Sequence, residues 1–198
     1  MRPDEAIYIP WVVWAVSWVA AASWANRTVK RPVFGSQTFY LLFELSGFAL
    51  LLIYVEQRTP SGEYTPLLQR DALWILPDQA KWAMVGLAAL GFAFCWWARL
   101  HLGRLWSGSV TRKEGHRVVD TGPYAIVRHP IYTGVIAAAL ATMVLRGTQL
   151  AIAGAALLAI GYVLKGRLEE RFLRAELGAE AYDAYARKTA MLIPFLRL

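Results

Sequence analysis

The residues best equipped for chemistry lie in two clusters. The first is the run Gly122-Pro-Tyr-Ala-Ile-Val-Arg-His-Pro-Ile-Tyr-Thr-Gly134, which places Arg128 and His129 between a basic polar stretch and an apolar one. A charged pair at the edge of a membrane is costly unless it binds something or is paired. Pro130 drives His129 out of helical geometry and suits the first turn of a following helix. The backbone amides and carbonyls just before it are therefore open to a ligand, or they are satisfied elsewhere. The second cluster is Tyr162, Lys165, Gly166 and Glu169, spaced i, i+3, i+4 and i+7, hence on one helical face. Together these groups offer binding of a charged, polar small molecule at a membrane surface. The plainer readings are a topology-setting Arg-His and an ion pair at a helix end.

The elements that must position them are apolar helices. The 198 residues are 57% hydrophobic, with a mean hydropathy of +0.37 and nine Trp, nine Tyr and eight Phe, which points to an integral membrane protein. Five segments read as transmembrane: Ala6–Asn26, Gln37–Val55, Trp82–Ala98, Ile131–Leu145 and Thr148–Leu164. The last two, joined by Arg146-Gly147, form a tight hairpin, which brings Glu169 near Arg128 and His129. Sixteen of the 21 Lys and Arg fall on one side of such a five-span arrangement. The net charge of +7 thus reads as a positive-inside bias, with the N-terminus outside and the C-terminus cytoplasmic, and not as a nucleic-acid surface. The first apolar run is too long, and ends too basically, for a removable signal peptide. Cys95 reads as inert packing, and no metal site is expected.

Other features are organisational. The external stretch Thr59–Gln79 is a loop with at most an interfacial helix around Leu67–Ile75, and the cytoplasmic stretch Arg99–Pro130 is long enough to carry function. Leu168, Phe172, Leu173 and Leu177 extend the last helix to a Gly178 cap, and a second helix follows over Glu180–Lys188. Gly147, Gly154 and Gly161 recur every seven residues on a packing face. Trp11, Trp14 and Trp18 share a face that packs or anchors. Glu44 lies in the middle of the second segment, either as a hydrogen-bonded packing residue or on the access path of a lipid substrate.

Gly122-Pro-Tyr124, then Arg128-His-Pro-Ile-Tyr132-Thr-Gly134, Glu169-Glu170, Gly178-x-x-x-Tyr182-x-x-Tyr185 and Ile193-Pro194, occur in an order that resembles the isoprenylcysteine carboxyl methyltransferase and phospholipid methyltransferase superfamily. The likeness covers Leu102–Leu198. It implies an all-α membrane domain over residues 1–198: three transmembrane helices in 1–98, then a cofactor-binding loop, hairpin and cytoplasmic tail helices in 99–198 that complete a cofactor pocket. It implies methyl transfer from S-adenosylmethionine, leaving S-adenosylhomocysteine, to a lipophilic or prenylated acceptor that enters from the bilayer. The favoured acceptor is an isoprenylcysteine-like carboxylate. The implied cofactor ligands are His116, Arg117, Val118, Val119, Tyr124, His129, Pro130, Ile131, Tyr132 and Glu169. Arg128 and Glu169 are the candidate catalytic residues, Arg128 serving either as a substrate contact or as a loop anchor. Lys165 stands where the family places an arginine for the substrate; with Arg167 and Glu44 it makes the candidate substrate set, although a lysine lacks the bidentate fork. A phospholipid amine methyltransferase, an NADPH-dependent sterol-reductase-like enzyme and a non-catalytic scaffold are the rival readings.

Overall fold

The structure is a computed structural model and describes residues 1–30, 35, 37–53, 56–58, 64–66, 72–115 and 117–196. Its helices are α1 (Pro3–Ala6), α2 (Tyr8–Ala21), α3 (Thr38–Leu52), α4 (Asp78–Leu102), α5 (Pro123–Ile126), α6 (Pro130–Arg146), α7 (Gln149–Leu177) and α8 (Ala179–Lys188). Strand β1 (Thr28–Lys30) pairs antiparallel with β4 (Arg112–Lys113), and β2 (Glu56–Arg58) with β3 (Tyr64–Pro66), so strands among the described residues form only short ribbons.

Among the described residues, three helical spans are long and apolar enough to cross a bilayer: Pro3–Trp24, Asp78–Leu105 and Gln149–Leu177. The helices Thr38–Leu52 and Pro130–Arg146 are apolar but shorter. Large apolar side chains such as Val16, Val19, Leu45 and Leu90 point outward, as a lipid-facing surface requires.

The hairpin partners α6 and α7 pack less on each other than on outer helices: α6 lies chiefly on α4, and α7 chiefly on α3. The reason is glycine. A Cβ on Gly91 would sit 2.6 Å from the Gly134 carbonyl, and one on Gly134 would collide with the Gly91 carbonyl, so the α4–α6 backbones touch at this crossing. Gly154 and Gly161 play the same part against α3, beside Leu51 and Glu44. Gly147, expected in the same helical row, instead ends α6 in a left-handed conformation against Trp74.

Trp11 is buried in the core, and Trp14 and Trp18 pack half-buried against it, the three rings meeting Phe48, Phe92, Trp96 and Trp106. Helix ends shift by a few residues from the sequence reading, and two differences bear on the site and its surroundings. Helix α4 runs on to Leu102 and carries Arg99 inside it, because Arg99 finds carbonyl partners and need not leave the helix. Of the expected interfacial helix, residues 67–71 lie outside the described residues and 72–75 are not helical.

Candidate active site

The motif from Gly122 to Gly134 is shaped by its turns. Gly122 adopts φ +58° and lies so close to the His101 ring that a Cβ would stand 2.7 Å from it. Pro123 then starts α5, which turns Tyr124 inward. The chain becomes extended at Val127, which bridges in parallel to Ala190. The Arg128 amide donates to the Ala190 carbonyl at 2.8 Å and the His129 amide to Met191 at 3.1 Å, while the Thr133 hydroxyl donates to Leu192 at 2.6 Å. The amides that looked open to a ligand are thus taken by the segment after α8. The rule that buried amides are paired is met by a distant strand-like stretch.

Charge is arranged around Glu170. Arg128 donates to its carboxylate at 2.7 and 3.3 Å, to the Ala186 carbonyl at 3.1 Å, and to the Thr189 carbonyl. His129 Nε2 also meets Glu170, at 3.0 Å. Glu169, expected close to both Arg128 and His129, lies 3.7 Å from His129 Nδ1 and instead accepts from the Tyr132 hydroxyl at 2.7 Å. The partner of Arg128 is its neighbour Glu170, because adjacent residues point about 100° apart around a helix. The His129 ring stacks on Tyr132 with centroids 5.1 Å apart, and Gly166 lets α7 approach it, a Cβ there falling 3.3 Å from the imidazole.

These residues form part of one wall of a cleft between α7, α8, the base of α6 and the stretch from Leu102 to Val119. Arg117, Val118, Val119, Tyr124, Arg128, His129, Pro130, Ile131, Tyr132 and Glu169 all line it. His116 lies outside the described residues. Trp106 and Thr111, which the sequence does not single out, line it too, as do Leu173 and Leu177 of the apolar stripe and Tyr182 and Tyr185 of the motif order, none of them a candidate site residue by sequence. The three-residue spacing of Tyr182 and Tyr185 was a visible signal, since it puts both on one face of α8. Tyr185 donates to the Tyr124 carbonyl at 2.8 Å. Burial pushes the phenols of Tyr124, Tyr182 and Tyr185 up, so they remain protonated at neutral pH. Arg99, which had counted only as a topology charge, is buried under this wall. It donates to the carbonyls of Gly103 (2.6 Å) and Ala21 (2.7 Å) and lies 4.3 Å over the Trp106 ring.

The expected substrate set divides. Lys165 and Glu44 are both buried on the α3 side of Tyr132, with Nζ 3.5 Å from Oε1. The rings of Tyr40, Tyr132 and Tyr162 surround the ammonium at 5.3, 5.4 and 5.6 Å. Glu44 Oε1 has no hydrogen-bond partner among the described residues. Arg167 is exposed and faces a separate groove between α7 and α8 with Arg171 and Arg174, so it does not join Lys165; two residues along a helix is a turn of about 200°.

The stretch that builds this cleft is also the stretch with relatives. Residues 84–174 match the isoprenylcysteine carboxyl methyltransferase family. The match spans most of α4, the intervening loop, α6 and α7 as far as Arg174. The chain is also 28% identical over 133 residues to the cobalt-zinc-cadmium resistance protein CzcN of Cupriavidus metallidurans. That alignment covers 65% of this chain and 55% of CzcN, so the chain spans about half the length of this curated relative. The family resemblance seen in the motifs therefore stands. The matched family is one of methyltransferases by its description, and three helical spans among the described residues are long and apolar enough to cross a bilayer.

Proposed function

We propose that the protein transfers a methyl group from S-adenosylmethionine to a lipophilic acceptor drawn from the bilayer. The observation that carries this reading is the cleft at the base of α6 and α7, where Glu169, held by the Tyr132 hydroxyl, is the single carboxylate in a lining rich in aromatic and aliphatic side chains among the described residues. The donor set suits the cofactor. A carboxylate stands ready for its ammonium, tyrosine faces for its sulfonium, and a buried Thr111 hydroxyl lacks a partner among the described residues.

Bound S-adenosylmethionine supplies an electrophilic methyl carbon, and the protein's part is to orient and to exclude water. Glu169 takes the ammonium, and Tyr132 fixes the direction of that carboxylate. Tyr124 and Tyr182 wall the site from solvent. Arg128 is a positioning residue: its guanidinium ties α7 through Glu170 to the end of α8, which fixes His129 against Tyr132. The acceptor's head group meets Lys165 and Glu44 beyond the Tyr132 ring, and Arg167 has no part in binding it. The favoured acceptor is an isoprenylcysteine-like carboxylate. The compensation of Lys165 by Glu44 also favours the rival reading, a neutral amine of a phospholipid, because a carboxylate there would face Glu44. The reading includes five crossings over residues 1–198 as one membrane domain, with the N-terminus outside and the cleft on the cytoplasmic side.

Calorimetry on the detergent-solubilised protein tests this. S-adenosylhomocysteine should bind, and Glu169→Ala should abolish binding with the fold intact. Tight NADPH binding without S-adenosylhomocysteine binding would overturn the reading. Transfer of a labelled methyl group into lipid extracts then identifies the acceptor class.

A further inference from the structure

One face of α7 is turned away from α3 and α6. Gly154 and Gly161 face α3, and Gly166 faces His129. Ala156, Ile160, Arg167, Arg171 and Arg174 are all exposed. Their steps of four, seven, four and three residues place them in a sector about 60° wide on another side of the helix. The row changes character along its length. Ala156 and Ile160 lie in the apolar part of the span, and the three arginines follow where α7 leaves it. From Gln149, the first residue of α7, to Arg167 the helix rises about 27 Å, close to a hydrocarbon thickness of ~30 Å. The guanidiniums therefore stand at the level of the lipid phosphates.

The three arginines also line a groove that α8 completes with Tyr182 and Asp183. Its two carboxylates are already engaged. Asp183 holds Arg174 at 2.7 and 2.8 Å, and Glu170 is taken by Arg128 and His129. Arg167 and Arg171 form no ion pair among the described residues. Arg171 Nε donates to the Arg167 carbonyl at 3.3 Å, which folds its guanidinium back toward Arg167 and the membrane side. Two uncompensated cations one turn apart repel, and an anion between them relieves the repulsion. On the membrane side of this pair, Leu164 and Ile160 continue as an apolar surface. A phosphate joined to acyl chains matches both parts, whereas a free phosphate or an acidic peptide leaves the apolar row unused. We propose that Arg167 and Arg171 bind the phosphate of an anionic phospholipid whose acyl chains lie along Leu164, Ile160 and Ala156. Such lipids enrich the cytoplasmic leaflet. This lipid is not the methyl acceptor, because Arg167 is turned about 200° around the helix from Glu169. Tyr182 lines both this groove and the cleft, so a head group seated here braces α8 against α7 from outside the cleft.

The experiment delipidates the full chain in a nonionic detergent and titrates it with phosphatidylglycerol, with phosphatidylcholine of the same acyl chains, and with glycerol phosphate. Native mass spectrometry and the melting midpoint read the result. Phosphatidylglycerol should bind and raise the midpoint, and the other two should do neither at the same concentration. Arg167→Gln with Arg171→Gln should weaken phosphatidylglycerol about thirtyfold, about fivefold for each arginine. It should leave the lipid-free midpoint within error, since both side chains are exposed. Arg104→Gln, which removes an exposed arginine outside the groove, should leave lipid affinity unchanged. The single variants keep the test readable if the double variant does not fold. Unchanged affinity in the double variant, equal binding of phosphatidylcholine, or an equal loss in Arg104→Gln would overturn the site. Glycerol phosphate binding as tightly as phosphatidylglycerol would mark a soluble phosphate site and overturn the lipid. None of these outcomes turns on S-adenosylhomocysteine, so the methyl-transfer reading stands or falls separately.

Discussion

Two charge pairs, the half-buried Arg128–Glu170 and the buried Lys165–Glu44, sit within a few turns of each other, and they are built differently. Arg128–Glu170 is saturated. The guanidinium reaches both carboxylate oxygens and two backbone carbonyls, and His129 adds a further contact to Glu170. Lys165–Glu44 is sparse. Its charges stand 3.5 Å apart among three tyrosine rings, and Glu44 Oε1, the oxygen facing the ammonium, makes no well-formed hydrogen bond among the described residues. A saturated pair fixes geometry, because every partner constrains the others. A sparse pair compensates charge but leaves hydrogen-bonding capacity for a third group. The first suits a strut under the cleft, the second a place where an acceptor's polar head meets the membrane interior.

The largest effect should come from Arg128→Ala. It strands Glu170 and two backbone carbonyls, so a loss of ~3–5 kcal/mol is expected, read as a lower melting midpoint in detergent and early proteolysis after α7. Lys165→Ala should destabilise less, by about 2–3 kcal/mol, since the stranded Glu44 can be protonated and escape part of the penalty. The double variants sharpen the contrast. Glu44→Gln with Lys165→Met should recover to within about 1 kcal/mol of wild type, while Arg128→Met with Glu170→Gln should not recover, because the carbonyls of Ala186 and Thr189 still lose their donor. A chemical-denaturation or melting series on the four variants decides this; equal recovery of both doubles would erase the distinction. The recovered Glu44→Gln, Lys165→Met protein should keep S-adenosylhomocysteine affinity and lose acceptor turnover, visible as a raised KM for the lipid. The smallest effect belongs to Asp183→Ala at the exposed Arg174–Asp183 pair. There the melting midpoint should stay within error at physiological salt, which makes it a control for charge removal as such.

The legible part of the site was what local spacing controls. Tyr162, Lys165, Gly166 and Glu169 do share a face, and each meets a residue of α3 or the α6 base. The proline at position 130 was readable as a helix start, and Gly178, at φ +99°, as the break between α7 and α8. Less legible was which of two consecutive glutamates would face Arg128, since periodicity gives relative phase within a helix but not its rotation against a neighbour. That rotation is set where glycines allow close approach, at Gly166 under the His129 ring and at Gly154 and Gly161 against the backbone of α3.

The sequence by itself determined the apolar spans, the hairpin and the order of the motif residues, because hydrophobic periodicity, proline and glycine act over a few residues. Tertiary structure alone decided that the Arg128 and His129 amides are taken by Ala190 and Met191, and that Arg99 is buried beneath Trp106. It also decided that Thr111 lines the cleft and that Glu44 finds Lys165. Each of these joins residues far apart in the chain, and a buried polar group takes whichever partner the packing brings within reach.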